Sequence, residues 1–172
     1  METLKSVIRD IPDFPKEGII FKDITPLLSN PISFKKVIDT LKTRYKGNGI
    51  DRVVGIEARG FIFASALAYA LDCGVVMVRK PGKLPYKTFQ ETYSLEYGED
   101  SVEIHQDAFE KGQNVVIIDD VLATGGTLAA CIDLVNKNFE VNLVEVGFLI
   151  ELDFLKGRQK LGNVSIYSIM HF

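Results

Sequence analysis

Histidine and cysteine are scarce in this 172-residue chain, which carries two of each: His105, His171, Cys73 and Cys131. Two histidines leave almost no material for a His-built zinc site or a Ser/His/Asp triad. Both are expected to be solvated, His171 near the last residue and His105 at a strand end. The cysteines sit far apart in apolar stretches with no C-x-x-C partner, and read as buried thiols in a reducing compartment. An excess of positive charge is also missing: 20 Lys plus Arg stand against 23 Asp plus Glu, a formal charge of −3. Bulk attraction to nucleic acid or to an anionic membrane is thereby disfavoured, so a polyanion has to be met by a local site. The longest apolar stretch, Phe61 to Leu71, is well short of the ~20 residues that cross a bilayer. Residues 1–20 alternate charged and apolar positions around Pro12 and Pro15, unlike a signal-peptide core. The expectation is a cytoplasmic protein with no membrane or nucleic-acid partner.

Repeats, low-complexity tracts and linker-like composition breaks are absent too, so residues 1–172 read as a single domain. With 47% hydrophobic residues, a chain of this length builds a core without disulfides or a structural metal. Thr3 to Ile11 reads as a short amphipathic helix stopped by Pro12, followed by an extended Ile19-Ile20-Phe21. Asn30-Pro31 is a helix start, and Phe34, Val37, Ile38, Leu41 and Tyr45 then fall on one helical face that ends near Gly47. From Asp51, β-branched runs (52–56, 75–78, 114–118 and 141–149) alternate with helical stretches (61–71 and 127–138). That rhythm predicts an α/β fold with a mainly parallel central sheet and right-handed crossover helices. Residues 93–96 and 101–105 predict an antiparallel excursion. The helix at 61–71 is apolar nearly all round and is expected to be covered on more than one side, a subunit interface being one way to do so.

Ligands of open α/β sheets sit beyond the carboxyl ends of the strands. The strand Val115-Val116-Ile117-Ile118 delivers Asp119 and Asp120 to such an end, and Ala123-Thr124-Gly125-Gly126-Thr127 then opens a helix. Small residues bare the backbone N–H groups at a helix start, which favours a phosphate, and the two Thr hydroxyls add donors. Ionised carboxylates accept from vicinal hydroxyls, so the pair suits a ribose diol. Together these features point to a ribose 5-phosphate. No G-x-x-x-x-G-K-[ST] occurs, and no G-x-G-x-x-G follows a strand, so neither an ATPase nor a dinucleotide enzyme is supported.

This segment resembles the phosphoribosyl-pyrophosphate (PRPP) motif of the type I phosphoribosyltransferases. Further similarity runs through residues 11–15, 21–28, 55–61, 78–85 and 93–98, the first and last of these marking the adenine-using branch. The resemblance implies a type I phosphoribosyltransferase fold with a small N-terminal hood of roughly 30 residues for base recognition. It implies that adenine and PRPP give AMP and pyrophosphate with Mg²⁺, in a homodimer. It assigns Asp119, Asp120, Ala123, Thr124, Gly125, Gly126 and Thr127 to ribose and 5-phosphate. Glu57, Ala58, Arg59, Arg79, Lys80 and Lys83 go to pyrophosphate, with Arg79 reaching the partner's site and the basic stretch 79–88 acting as a lid. A non-proline cis peptide is expected at Ala58-Arg59. Catalytic roles fall to Glu96 near purine N7, Arg59 and Lys83. The metal is expected on PRPP oxygens and water, with no direct protein ligand.

Adenine presents an N6 donor beside an N1 acceptor, a pattern that one backbone C=O and one backbone N–H match. Ile20, Phe21 and Lys22 are expected to supply that pair, with Phe21 on one purine face and Leu122 on the other. A 6-oxopurine would set an oxygen against the buried C=O. Two other readings remain: a PRPP-sensing regulator without turnover, and a phosphoribosyltransferase for a 6-oxopurine. Ala64 departs from the glycine that relatives often carry, with an effect expected on local packing alone.

Overall fold

The computed structural model describes residues 2–94 and 98–172. Helix α1 covers only Glu2–Lys5, and Arg9–Ile11 is a strand, β1, paired antiparallel with β2, Phe21–Asp23. This corrects the helix expected over residues 3–11. A helical pattern that short is marginal in water, and the hairpin offers better partners. Arg9 donates to Asp23 (Nε–Oδ2 3.0 Å) and Lys22 to Asp10 (2.7 Å) across it. Helix α2, Thr25–Ser29, follows; Asp23 accepts from both the Thr25 N–H and its hydroxyl. Those bonds, with Arg9, hold the Asp23 carboxyl down at about 2.

Helix α3, Pro31–Tyr45, starts as predicted, with Asn30 Oδ1 accepting from the N–H groups of Ile32 and Ser33. Its apolar face buries Val37, Ile38, Leu41 and Tyr45. Then come β3 (Arg52–Ile56), α4 (Gly60–Leu71), β4 (Gly74–Val78) and an antiparallel ribbon of β5 (Thr88–Ser94) and β6 (Glu99–His105). Strand β7 (Asn114–Leu122), α5 (Gly126–Asn138), β8 (Asn142–Glu151) and β9 (Ile166–His171) complete the fold, with two 3₁₀ turns at Asp153–Leu155 and Gly157–Lys160.

Strands β4-β3-β7-β8-β9 form one parallel sheet in that order. The mainly parallel central sheet expected from the sequence is thus present, with helices on both faces. One face packs on α2, α3 and α4 through Leu27, Leu41, Phe63 and Leu67; the other packs on α5 and the ribbon through Val54, Ile117, Leu134, Phe148 and Ile104. Strand β7 runs past Ile118 because β8 keeps pairing with it, Val121 beside Ile150 and Leu122 beside Glu151. The paired aspartates are therefore part of the ladder rather than of a loop.

Among the remaining expectations, the one for His105 changes. Helix α4 is covered by the sheet and by α3, where Phe63 meets the Phe34 ring, and only its outer side stays open: Tyr69 is 91% exposed and Ile62 41%. His105 is not solvated; its Nε2 is sealed from solvent without a partner, and its ring meets Tyr86 edge-on. His171 is exposed, as expected, and is bonded to Asp153, Nδ1 to Oδ1 2.9 Å. Ala64 is fully buried against Gly55, where a Cβ would come within 2.8 Å of the Ala64 methyl, so the packing of α4 on β3 already fills that space.

Candidate active site

A cavity of about 620 Å³ opens beyond the carboxyl ends of β3 and β7. Its lining joins the hood residues Ile20, Phe21 and Lys22 to Glu57, Ala58, Arg59 and Lys80, and to the whole stretch from Asp119 to Thr127. Most of the residues singled out from sequence thus converge on one pocket. A second groove of about 800 Å³ runs along the outer side of α3, past Ile32, Lys36, Arg44 and Tyr167, and touches none of the strand-tip residues.

The loop after β7 owes its shape to Gly125, the N-cap of α5, at φ +78. A side chain there would be strained and would meet the Gly157 carbonyl oxygen at 2.5 Å. Small residues let the 3₁₀ turn lie directly against the loop, so the amides at the start of α5 stay bare toward the cavity. Thr127 Oγ1 lies 2.9 Å from the Tyr93 hydroxyl, which donates to Asp100 (3.0 Å). Lys80 reaches the same group, donating to Tyr93 (3.1 Å) and ion-pairing with Asp100. This network ties the antiparallel ribbon to the start of α5 and to a basic residue of the cavity wall. Burial pulls the Lys80 ammonium down, but the bonds to Asp100 and Tyr93 outweigh it and leave it above its ordinary value.

The two aspartates differ. Asp120 is buried, and its Oδ2 lies 2.5 Å from Arg59 Nε, out of line for a hydrogen bond and otherwise without a partner. Asp119 accepts the Asp120 N–H at 2.9 Å. Burial, and then the neighbouring Asp120 charge, raise the Asp119 carboxyl well above the usual range. The Arg59 guanidinium also lies over the Phe21 ring at 5.3 Å, so one side chain spans the tip of β7 and the N-terminal strand β2.

Glu57 N–H bonds the Val78 carbonyl and prolongs the β3 ladder by one residue, and the chain turns at the next bond. There the non-proline cis peptide is found, at Glu57-Ala58, one bond before the expected Ala58-Arg59. The Glu57 carboxylate accepts from Arg79 (3.0 and 3.3 Å) and from the Lys80 N–H (2.9 Å), which together hold it below the usual range. Arg79 and Lys83 do not line this cavity; Arg79 donates to the Lys83 carbonyl at 3.1 Å, and Lys83 is exposed between β4 and β5. Glu96 lies outside the described residues.

Leu122 lines the cavity but is only 1% exposed, its far end packed against Gly157. The aliphatic wall within reach is widened by Ile19, Val121, Leu152 and Leu155. Ile19 and Val121 adjoin residues read from the sequence. Leu152 and Leu155 follow a strand, β8, that runs two residues beyond its expected end, and the alternating Ile166 to Met170 was the unread sign that the sheet continues there.

The phosphoribosyl transferase domain family matches residues 23–166. Adenine phosphoribosyltransferase of Citrifermentans bemidjiense is 58% identical over 172 residues, all of this chain and all of that protein. The crystal structure of adenine phosphoribosyltransferase from Thermoanaerobacter pseudethanolicus superposes with a TM-score of 0.95 at 50% identity, covering 99% of both chains. That of Saccharomyces cerevisiae, complexed with an imino-altritol bisphosphate and adenine, has a TM-score of 0.91 at 47% identity, covering 97% of this chain and 96% of its own. The chain belongs to the phosphoribosyltransferase family. Within it, full-length similarity puts the chain among the adenine phosphoribosyltransferases.

Proposed function

We propose that this pocket transfers the 5-phosphoribosyl group of PRPP to N9 of adenine, giving AMP and pyrophosphate, and that the chain serves purine salvage in the cytoplasm. The observation that carries the reading is the junction of paired carboxylates, a bare amide loop and a hood in one cavity. Asp119 and Asp120 hold the ribose hydroxyls. Residues 123–127 hold the 5-phosphate through backbone N–H groups and the hydroxyls of Thr124 and Thr127. Arg59 and Lys80 address the pyrophosphate on its way out, with Glu57 and Ala58 shaping the turn that presents them. Lys83 joins them from the lid. Ile20, Phe21 and Lys22 take the adenine, with Phe21 against one face and the Leu122 wall against the other. Glu96 shares a proton near N7, an assignment that rests on the resemblance alone. Residues 1–172 act as one domain, with roughly the first 30 reading the base.

The transition state is a cationic sugar leaving an anion, so catalysis here is mainly positioning and electrostatic stabilisation. Mg²⁺ supplies further neutralisation of the pyrophosphate. The donor set fits an ion carried by the substrate: of the carboxylates lining the cavity, Glu57 and Asp120 are paired with Arg79 and Arg59. The remaining wall, Asp119, can face such an ion through water.

A homodimer is part of the proposal. Ile62 and Tyr69 on α4, and Val75 and Met77 on the edge strand β4, are exposed on the same side of the sheet, and Arg79 follows directly from that strand. An apolar contact there would bring Arg79 toward a second copy's pocket. Sedimentation at twice the chain mass supports this; a monomer at micromolar concentration refutes it.

The test is release of pyrophosphate from adenine plus PRPP by the wild type and by Asp119→Asn/Asp120→Asn. Turnover with adenine and loss of PRPP binding in the double variant are expected. PRPP bound without turnover would indicate a sensor, and equal use of hypoxanthine would refute the hood argument. Unchanged PRPP affinity in the double variant would remove the diol assignment.

A further inference from the structure

The hood is fastened to the body of the protein by residues far from it in sequence. Lys22, whose side chain is largely covered, ion-pairs with Asp10 at 2.7 Å and lies over the Phe172 ring at 4.3 Å from its centroid. Lys5 approaches the same ring at 5.1 Å. Phe172 is in turn locked by backbone. Its N–H donates to the Glu151 carbonyl and its own carbonyl accepts the Asp153 N–H, both at 2.9 Å. His171 adds a side-chain bond to Asp153. Asp153 opens the 3₁₀ turn that carries Leu155 into the cavity wall, and the Leu152 N–H donates to the Leu122 carbonyl at 3.0 Å. One residue therefore touches the hood wall at Lys22 with its ring and is hydrogen-bonded through its backbone to the segment that leads into the opposite, aliphatic wall.

The nearby Glu151, Asp153 and His171 form an acidic cluster with one imidazole. Glu151 already accepts a two-pronged Arg158 (2.5 and 2.7 Å) and the Ser168 hydroxyl (2.5 Å). That carboxylate is spoken for, so the cluster acts as a structural tie for β9 rather than as a cation cage.

We propose that Phe172 is a positioning residue for the base half of the pocket. It sets the distance between the hood strand and the Leu152–Leu155 wall, and so governs how tightly a flat purine is gripped. No hydrogen bond or ring contact of Phe172 among the described residues reaches residues 123–127, Arg59 or Lys80. The effect should fall on one substrate only. This inference rests on the hood as the adenine site, and the experiment separates the two claims.

Steady-state constants for adenine and for PRPP are measured separately in Phe172→Ala, Phe172→Leu, Phe172→Tyr and Phe21→Ala. Cation–π contacts of this kind translate into a rise of roughly three- to tenfold in KM for adenine in Phe172→Ala. KM for PRPP and kcat should stay within about twofold, and Phe172→Tyr, which keeps the aromatic face, should restore the wild-type value. Phe172→Leu, which keeps apolar volume but not the ring, should remain impaired. A Phe172→Ala enzyme with unchanged KM for adenine, or with both KM values raised alike, overturns the proposal while a raised KM in Phe21→Ala upholds the hood. If Phe21→Ala also leaves KM for adenine unchanged, the hood reading fails and the Phe172 proposal falls with it.

Discussion

Gly125 is the residue on which the proposed phosphate cradle turns. Its φ of +78 costs a side chain about 1 kcal/mol before any contact is considered, and an added methyl would press on the Gly157 carbonyl oxygen. Relief has to come from moving the loop or the 3₁₀ turn, and the loop carries the amides proposed to face a phosphate. Gly125→Ala should therefore melt at lower temperature than the wild type and raise KM for PRPP more than KM for adenine, measured on one preparation. An equal rise in both constants would mean that the loop does not hold the phosphate. Arg59 illustrates a different kind of residue. Its pairing with Asp120 and its place over Phe21 depend on a turn, a strand tip and a hairpin distant in sequence, so its type suggested anion binding while its second contact was unreadable. Glycines and acidic pairs next to each other are legible because the backbone itself brings them together.

Element by element, the strength of the local signal decided what could be read. Helix α3 carried three independent signs, a cap, a first-position proline and an apolar stripe, and the structure keeps all of them. Removing one tests its weight: Asn30→Ala leaves two N–H groups without their side-chain acceptor and should cost about 1 kcal/mol in urea unfolding, with no change in either KM. A loss below a few tenths of a kcal/mol would assign the cap to other groups. The segment from residue 3 to residue 11 had only a weak stripe, and tertiary pairing with β2 overrode it. Strand β7 was read four residues short because aspartates end most apolar runs, whereas the continuing ladder with β8 holds Asp119 and Asp120 inside the sheet. The cis bond was read one position late for a related reason: the β3 ladder extends only through the Glu57 N–H.

Across the whole molecule, buried carboxylates tie the sheet to its surroundings. Burial alone would raise Glu145 and Glu151, but bonds from Arg44 and Ser165 to the first, and from Arg158 and Ser168 to the second, hold both below the ordinary value of 4.5. A depressed pKa contributes stability that is present above the unfolded value and is lost as pH falls through the folded one. The melting temperature should thus decline as pH drops below about 4.5. Glu151→Gln should be less stable than the wild type at pH 7 and show a shallower decline in acid; parallel curves would contradict that origin. Asp119, whose pKa is raised, works with the opposite sign: its contribution is whole below the unfolded value and fades as pH rises through the folded one. The strain of holding two carboxyls at one strand tip is thus set against the acid-sensitive ties elsewhere, as expected where binding, not stability, places the charge. A crystal structure with AMP decides whether that placement serves a ribose ester. The nucleotide's ribose hydroxyls should meet Asp119 and Asp120, its phosphate the amides of residues 124–127, and its base Phe21. AMP bound at another surface, with this cavity unchanged, would contradict the reading at its root.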